Sequence, residues 1–135
     1  MPTTRTHRQM HKPSDTTLVV CDDDDTLVRL RDYLGRSGVP TKATRRLEVA
    51  WAEAASCAAL VLLPDDFDTG AVSDGLCRVL SRWPCPLVII VTAVRQHLEP
   101  LLATVDHPQP VIFTPKPVWG WTILDLLRNR EARET

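Results

Sequence analysis

The chain has 135 residues, 44% of them hydrophobic and 24% charged, with a formal net charge of −1. That length holds one domain with a real core and not two. The near-neutral balance, with no basic stripe, supplies no field to recruit nucleic acid or an anionic membrane.

Residues 1–15, MPTTRTHRQMHKPSD, are polar and mildly basic without periodicity, and are expected to form a flexible tail before a domain over 16–135. TTLVVC is a compact apolar run and predicts a buried strand. TLVRLRDYLGRSG sets Leu27, Leu30, Tyr33 and Leu34 on one helical face, with Gly35 and Gly38 placed to end it. A short strand near PTKAT follows, then the helix RRLEVAWAEAA with Leu47, Ala50, Trp51 and Ala54 at core spacing. CAALVLLP predicts a third strand and VSDGLCRVLSRW a third helix. PLVIIVTA is the most β-branched run and reads as a central strand buried on both faces. RQHLEPLLATV is helical, with Pro100 implying a kink or a late start. VIFTPKP gives a last short strand and WGWTILDLLRNREAR a closing amphipathic helix, in which Trp119 and Trp121 are expected to pack at the core and its rim, with a partner-facing patch as the alternative. Five strands alternating with five helices predict an α/β fold, a (βα)5 doubly wound sandwich around a five-stranded parallel sheet.

No apolar run approaches the roughly 20 residues needed to span a bilayer, and no secretory core follows the basic N-terminal residues. Cys21, Cys57, Cys77 and Cys85 show no Cys-x-x-Cys spacing. They read as reduced thiols, and the chain as a cytoplasmic protein without a zinc site.

Ligands of such sheets bind outside the carboxyl ends of the strands. Those ends carry, in order, Asp22–Asp25, Ala43-Thr44, Pro64-Asp65-Asp66, Thr92-Ala93 and Thr114-Pro115-Lys116-Pro117. Two acidic groups, a hydroxyl and a lysine therefore converge on one rim. Lysine is scarce, occurring only at Lys12, Lys42 and Lys116, so its place there carries weight. Carboxylates without nearby His or Cys favour a hard cation such as Mg²⁺. A metal, a lysine and a hydroxyl around a further carboxylate suit phosphoryl chemistry, with an aspartate as acceptor.

With an acidic pair after strand one, an aspartate after strand three, Thr-Ala after strand four and Lys-Pro after strand five, residues 16–130 resemble the receiver domains of bacterial response regulators, the CheY-like family. The resemblance implies a flavodoxin-like fold without enzymatic turnover. It implies Mg²⁺ held by Asp22, Asp23 and Asp65, phosphate accepted on Asp65, and Thr92 and Lys116 contacting the phosphoryl group. Phe113, three residues before the lysine, stands at the family's switch aromatic, paired with Thr92. The implied partners are a histidine kinase or phosphotransfer protein and a downstream protein or separate output domain. A homodimer through the face of the fourth helix, fifth strand and fifth helix is also implied. Neither nucleic acid nor a membrane is an implied partner of this domain. The Lys116–Pro117 peptide is a candidate cis bond.

Two registers stay open. Aligning ALVLL with the family's strand puts Pro64 at the acceptor position, which would make the chain a phosphorylation-independent interaction module; sliding by one residue puts Asp65 there. The acidic pair is Asp22-Asp23 counted from the strand, or Cys21-Asp22 counted back from Tyr33-Leu34. Asp24 and Asp25 are expected to cap and complement a helix starting near Thr26. The string Asp22-Asp23-Asp24-Asp25-Thr26 also resembles the Asp-x-Asp-x-Thr hallmark of haloacid dehalogenase-like phosphohydrolases, with Asp22 as nucleophile and Asp24 as acid/base. That family's second acidic pair follows its lysine, whereas Asp65-Asp66 precedes Lys116, so motif order favours the receiver.

Overall fold

The structure, a computed structural model, describes residues 15–82, 87–104 and 110–134. Apart from Asp15, the expected tail lies outside them, as do Cys85 and most of the VDHPQP turn. The strands are β1 (Thr17–Val20), β2 (Thr41–Thr44), β3 (Ala59–Leu62), β4 (Leu87–Val91) and β5 (Val111–Thr114). The helices are α1 (Asp24–Arg36), α2 (Leu47–Glu53), α3 (Thr69–Arg82), α4 (Arg95–Leu102) and α5 (Gly120–Glu134). Single 3₁₀ turns occupy Ala54–Ser56 and Pro64–Asp66. All pairings are parallel, in the order β2-β1-β3-β4-β5, so the alternation expected from the sequence is the fold observed.

The continuous apolar runs become the three inner strands, β1, β3 and β4, buried on both faces. Side chains alternate across the sheet as the strand period requires. Leu18, Val20, Leu60, Leu62, Val88 and Ile90 face one layer, packed with Trp51, Val72, Leu76 and Leu98 of α2, α3 and α4. Val19, Cys21, Val61, Leu63, Ile89 and Val91 face the other, against Leu27, Leu30 and Leu34 of α1 and Ile123, Leu124 and Leu127 of α5. The edge strands β2 and β5 are only partly buried.

Helix α1 begins two residues earlier than its sequence suggests. Asp23 is the N-cap, its Oδ2 accepting from the Thr26 backbone N–H at 3.0 Å and the Thr26 hydroxyl at 2.5 Å. Asp24 and Asp25 follow in the first turn, where their charge complements the helix N-terminus. The capping role expected of that pair therefore belongs to the residue before them. At the other end Gly38 adopts φ +91°, and Val39 N–H closes back onto the Leu34 carbonyl at 2.9 Å. That is the left-handed stop for which glycine is suited.

Between α2 and α3 the indole of Trp51, 7% exposed, lies over Gly75. A Cβ at Gly75 would stand 2.0 Å from the ring, so only glycine admits that approach. Helix α4 starts at Arg95, which places Pro100 inside it rather than at a late start. Trp119 and Trp121 are 64% and 56% exposed, not packed as expected. Ile123, Leu124 and Leu127 form the inward face of α5. Trp121 lies about 200° around the helix from Ile123, on the opposite side. Among the described residues no helix is long and apolar enough to cross a membrane.

Candidate functional site

The rim at the carboxyl ends of the strands gathers around Asp65. Strand β3 ends in register with β1, Val20 opposite Leu62, and Leu63 N–H donates to the Val20 carbonyl at 2.9 Å. Continuing that register sets Pro64 opposite Asp22. Pro64 is buried and opens a 3₁₀ turn that Phe67 N–H closes onto the Pro64 carbonyl at 3.0 Å. A proline is well placed there, because the first position of such a turn has no internal partner for an N–H. The turn, rather than a strand bulge, carries the next residue into the rim. Both registers therefore hold part of the truth: Pro64 keeps the strand-aligned place, while the Asp65 carboxylate reaches the pocket.

Three donors meet that carboxylate. The Thr92 hydroxyl donates to Oδ1 at 2.5 Å, the Ala93 backbone N–H donates to Oδ2 at 3.0 Å, and Lys116 Nζ stands 3.6 Å from Oδ2. The Asp65 side chain is 17% exposed and that of Lys116 35%. Burial pushes the Asp65 carboxyl upward, but the Ala93 N–H, the Thr92 hydroxyl and the Lys116 ammonium outweigh it and hold the group below the usual carboxylate range. Thr92, 3% exposed at the end of β4, is fixed from behind, its hydroxyl oxygen accepting the Val94 N–H at 3.0 Å. Lys116 lies between two prolines, and the Lys116–Pro117 peptide is cis, as the sequence suggested.

The first strand end is organised differently. The Asp22 carboxylate pairs with Arg45 at 3.6 Å, and Arg45 Nε donates to the Asp22 carbonyl at 3.0 Å. Both side chains are about half exposed, which limits the strength of the pair. Asp23 is committed to capping α1; the Thr26 hydroxyl and N–H hold its carboxyl below the ordinary range. Cys21, directly after β1, is a buried thiol whose pKa burial raises, and it sits 3.6 Å from the Asp23 carbonyl oxygen. A neutral thiol is a poor ligand for a hard cation. Among the described residues no three His, Cys, Asp or Glu side chains stand close enough to hold an ion. Asp22, Asp23 and Asp65, expected to ligate Mg²⁺ together, do not gather into a cluster of three ligands. Each has a partner from the chain instead.

Phe113, on β5, is half-buried against the same core layer as Ile90. The Arg95 guanidinium lies 4.9 Å from its ring centroid, and Glu99 anchors that arginine at 2.5 Å. Thr92, Ala93, Arg95, Gln96, Phe113 and Lys116 line a cleft of about 400 Å³ beside the Asp65 cluster. Sequence reasoning missed Arg45, Arg95 and the Ala93 N–H. Arg45 follows β2 directly at the same rim, and Arg95–Glu99 has the i,i+4 spacing of a helical ion pair. Those were the available signals.

No protein-family model matches the sequence, and no curated protein matches it. Solved structures do. A chemotaxis protein CheY4 of Vibrio cholerae superposes with a TM-score of 0.60 at 16% identity, covering 84% of this chain and 96% of that one. A response regulator from Colwellia psychrerythraea gives 0.64 at 13% identity over 88% and 98% of the two chains. The signal receiver domain of a signal transduction histidine kinase from Syntrophus aciditrophicus gives 0.59 at 18% identity over 86% and 89%. The five-stranded parallel sheet with its alternating helices is the CheY-like receiver fold.

Proposed function

We propose that the chain is a receiver module of a two-component or related signalling pathway, with Asp65 as its switching centre. The observation that carries this reading is the convergence of the Thr92 hydroxyl, the Ala93 N–H and the Lys116 ammonium on one carboxylate at the strand ends. Thr92 and Ala93 lead into α4, and Lys116 follows β5. A change in charge at Asp65 is thus transmitted to the cleft containing Arg95 and Phe113. The output is altered affinity for a protein partner, without catalytic turnover.

In the phosphorelay form, a histidine kinase or phosphotransfer protein delivers the phosphoryl group to an Asp65 oxygen. A new P–O bond forms as the bond to the donor imidazole breaks. The residues around Asp22 and Asp23 do not fit a preformed Mg²⁺ site, so no step is assigned to the metal. A second form, in which protein contacts operate without phosphoryl transfer, is favoured by Pro64 at the strand-aligned position. The phosphohydrolase reading draws no support from the geometry, because Asp22 is paired with Arg45 and Asp24 lies in the first turn of α1.

The test is a spectral comparison of wild-type protein with Asp65→Asn, Thr92→Ala and Lys116→Ala. Receiver function predicts amide shifts extending from Asp65 into α4 and around Phe113. Shifts confined to the substituted residue and its neighbours would remove Asp65 as a switching centre. Beryllofluoride or acetyl phosphate with Mg²⁺ then separates the two forms: an adduct lost in Asp65→Asn marks the phosphorelay.

A further inference from the structure

We infer that Asp65 is a built-in anion, its carboxylate filling the donor pocket that an incoming phosphoryl group would otherwise occupy, so that the rim is held in its anion-bound arrangement without phosphorylation. This rests on the receiver reading and specifies its phosphorylation-independent form. A hydroxyl, a backbone N–H and an ammonium aimed at one point form a site for a tetrahedral oxyanion. Here all three already face the Asp65 oxygens, at 2.5, 3.0 and 3.6 Å. A phosphoryl group on Asp65 would have to stand where those donors stand, and they would have to withdraw to admit it. Nor does the strand-aligned position supply another acceptor, because Pro64 has no nucleophilic atom in its side chain.

The cationic side shows the same internal substitution. Arg45 gives Asp22 a positive partner from the chain, and Asp23 is satisfied by Thr26. An acceptor awaiting a phosphoryl group should instead have carboxylate oxygens open to the donor and a neighbouring acidic pair free for a cation. The rim therefore contains its own anion and its own cation. Its consequence for the cleft is a fixed one: Thr92 is drawn to Asp65 while Phe113 lies beneath Arg95.

Amide hydrogen exchange and NMR shifts of the full chain test this directly. In wild-type protein the Ala93 N–H is expected to be protected and unmoved by beryllofluoride with Mg²⁺. Asp65→Ala should speed its exchange about tenfold or more, as loss of a charge-assisted hydrogen bond implies. Asp65→Asn retains an acceptor oxygen without the charge, and should fall between. Opening the pocket should also let inorganic phosphate bind: millimolar phosphate should shift Ala93 in Asp65→Ala, but not in wild type or in Asp65→Ala/Lys116→Ala. A Mg²⁺-dependent beryllofluoride adduct on wild-type Asp65 would overturn the inference and leave the receiver reading standing. Ala93 exchange and shift unchanged in both Asp65 variants would overturn both.

Discussion

Four consecutive aspartates occupy three different environments, and only position along the backbone separates them. Asp22 faces Arg45, Asp23 caps α1, and Asp24 and Asp25 complement the helix N-terminus from its first turn. Because Asp23 acts through its carboxylate on Thr26, Asp23→Ala should lower the thermal midpoint by a few degrees, whereas Asp23→Asn should nearly retain it. Addition of Mg²⁺ should not change that ranking; a melt in which Asp23→Asn loses as much as Asp23→Ala would contradict the capping role. The same residues show what was legible. Asp65, Thr92 and Lys116 could be found because side chains at strand ends must meet at one rim, whatever the details of the loops. The identity of the cap could not be read, since moving a helix start by one residue leaves the pattern DDDDT unchanged. Arg45 and Arg95 resemble any exposed arginine until the fold brings Asp22 and Phe113 beside them.

The inner strands announced themselves because burial on both faces demands continuous apolar runs, as in LVV, ALVL and LVIIV. Helices were legible through their inward faces, and less so through residues that belong to neither face. Trp119 and Trp121 were such a case: aromatic character suggested packing, but Gly120 between them abuts Tyr33 and the chain turns both indoles outward. Trp119→Ser and Trp121→Ser should therefore change unfolding free energy by no more than about 0.5 kcal/mol. Trp51→Ala, emptying a buried site between α2 and α3, should cost about 3–5 kcal/mol. Gly75 supplies the complementary test. A methyl there meets the Trp51 ring, so Gly75→Ala should destabilise by about 1–3 kcal/mol in urea denaturation. The penalty should shrink in a Trp51→Leu background, where the opposing ring is gone. An additive double mutant would show that the contact between those helices does not set the cost.

At the scale of the whole molecule, the groups that order the rim and core also limit the pH range of stability. Asp65 has a depressed folded pKa, because its three donors outweigh the burial that raises it. In the unfolded chain an aspartate titrates near about 3.9. The Asp65 contribution is therefore fully present above that value and is lost as pH falls through the lower folded pKa. Cys21 and Cys57 act at the other end. Burial is the leading influence on each and raises its pKa, so the folded protein keeps thiol protons that an unfolded chain releases near about 8.5. Their contribution is complete below that value and declines as pH rises through the folded pKa. Urea midpoints measured from pH 3 to pH 10 should consequently form a plateau with two declining limbs. Asp65→Asn should flatten the acid limb without moving the alkaline one, and Cys21→Ala should do the reverse. The two limbs report different parts of the fold: the acid limb the donor pocket on the rim together with the Asp23 cap of α1, the alkaline limb the thiols buried beside the sheet. An acid limb unchanged in Asp65→Asn would mean that the donors around residue 65 do not prefer its ionised form, and the built-in anion would lose its energetic basis.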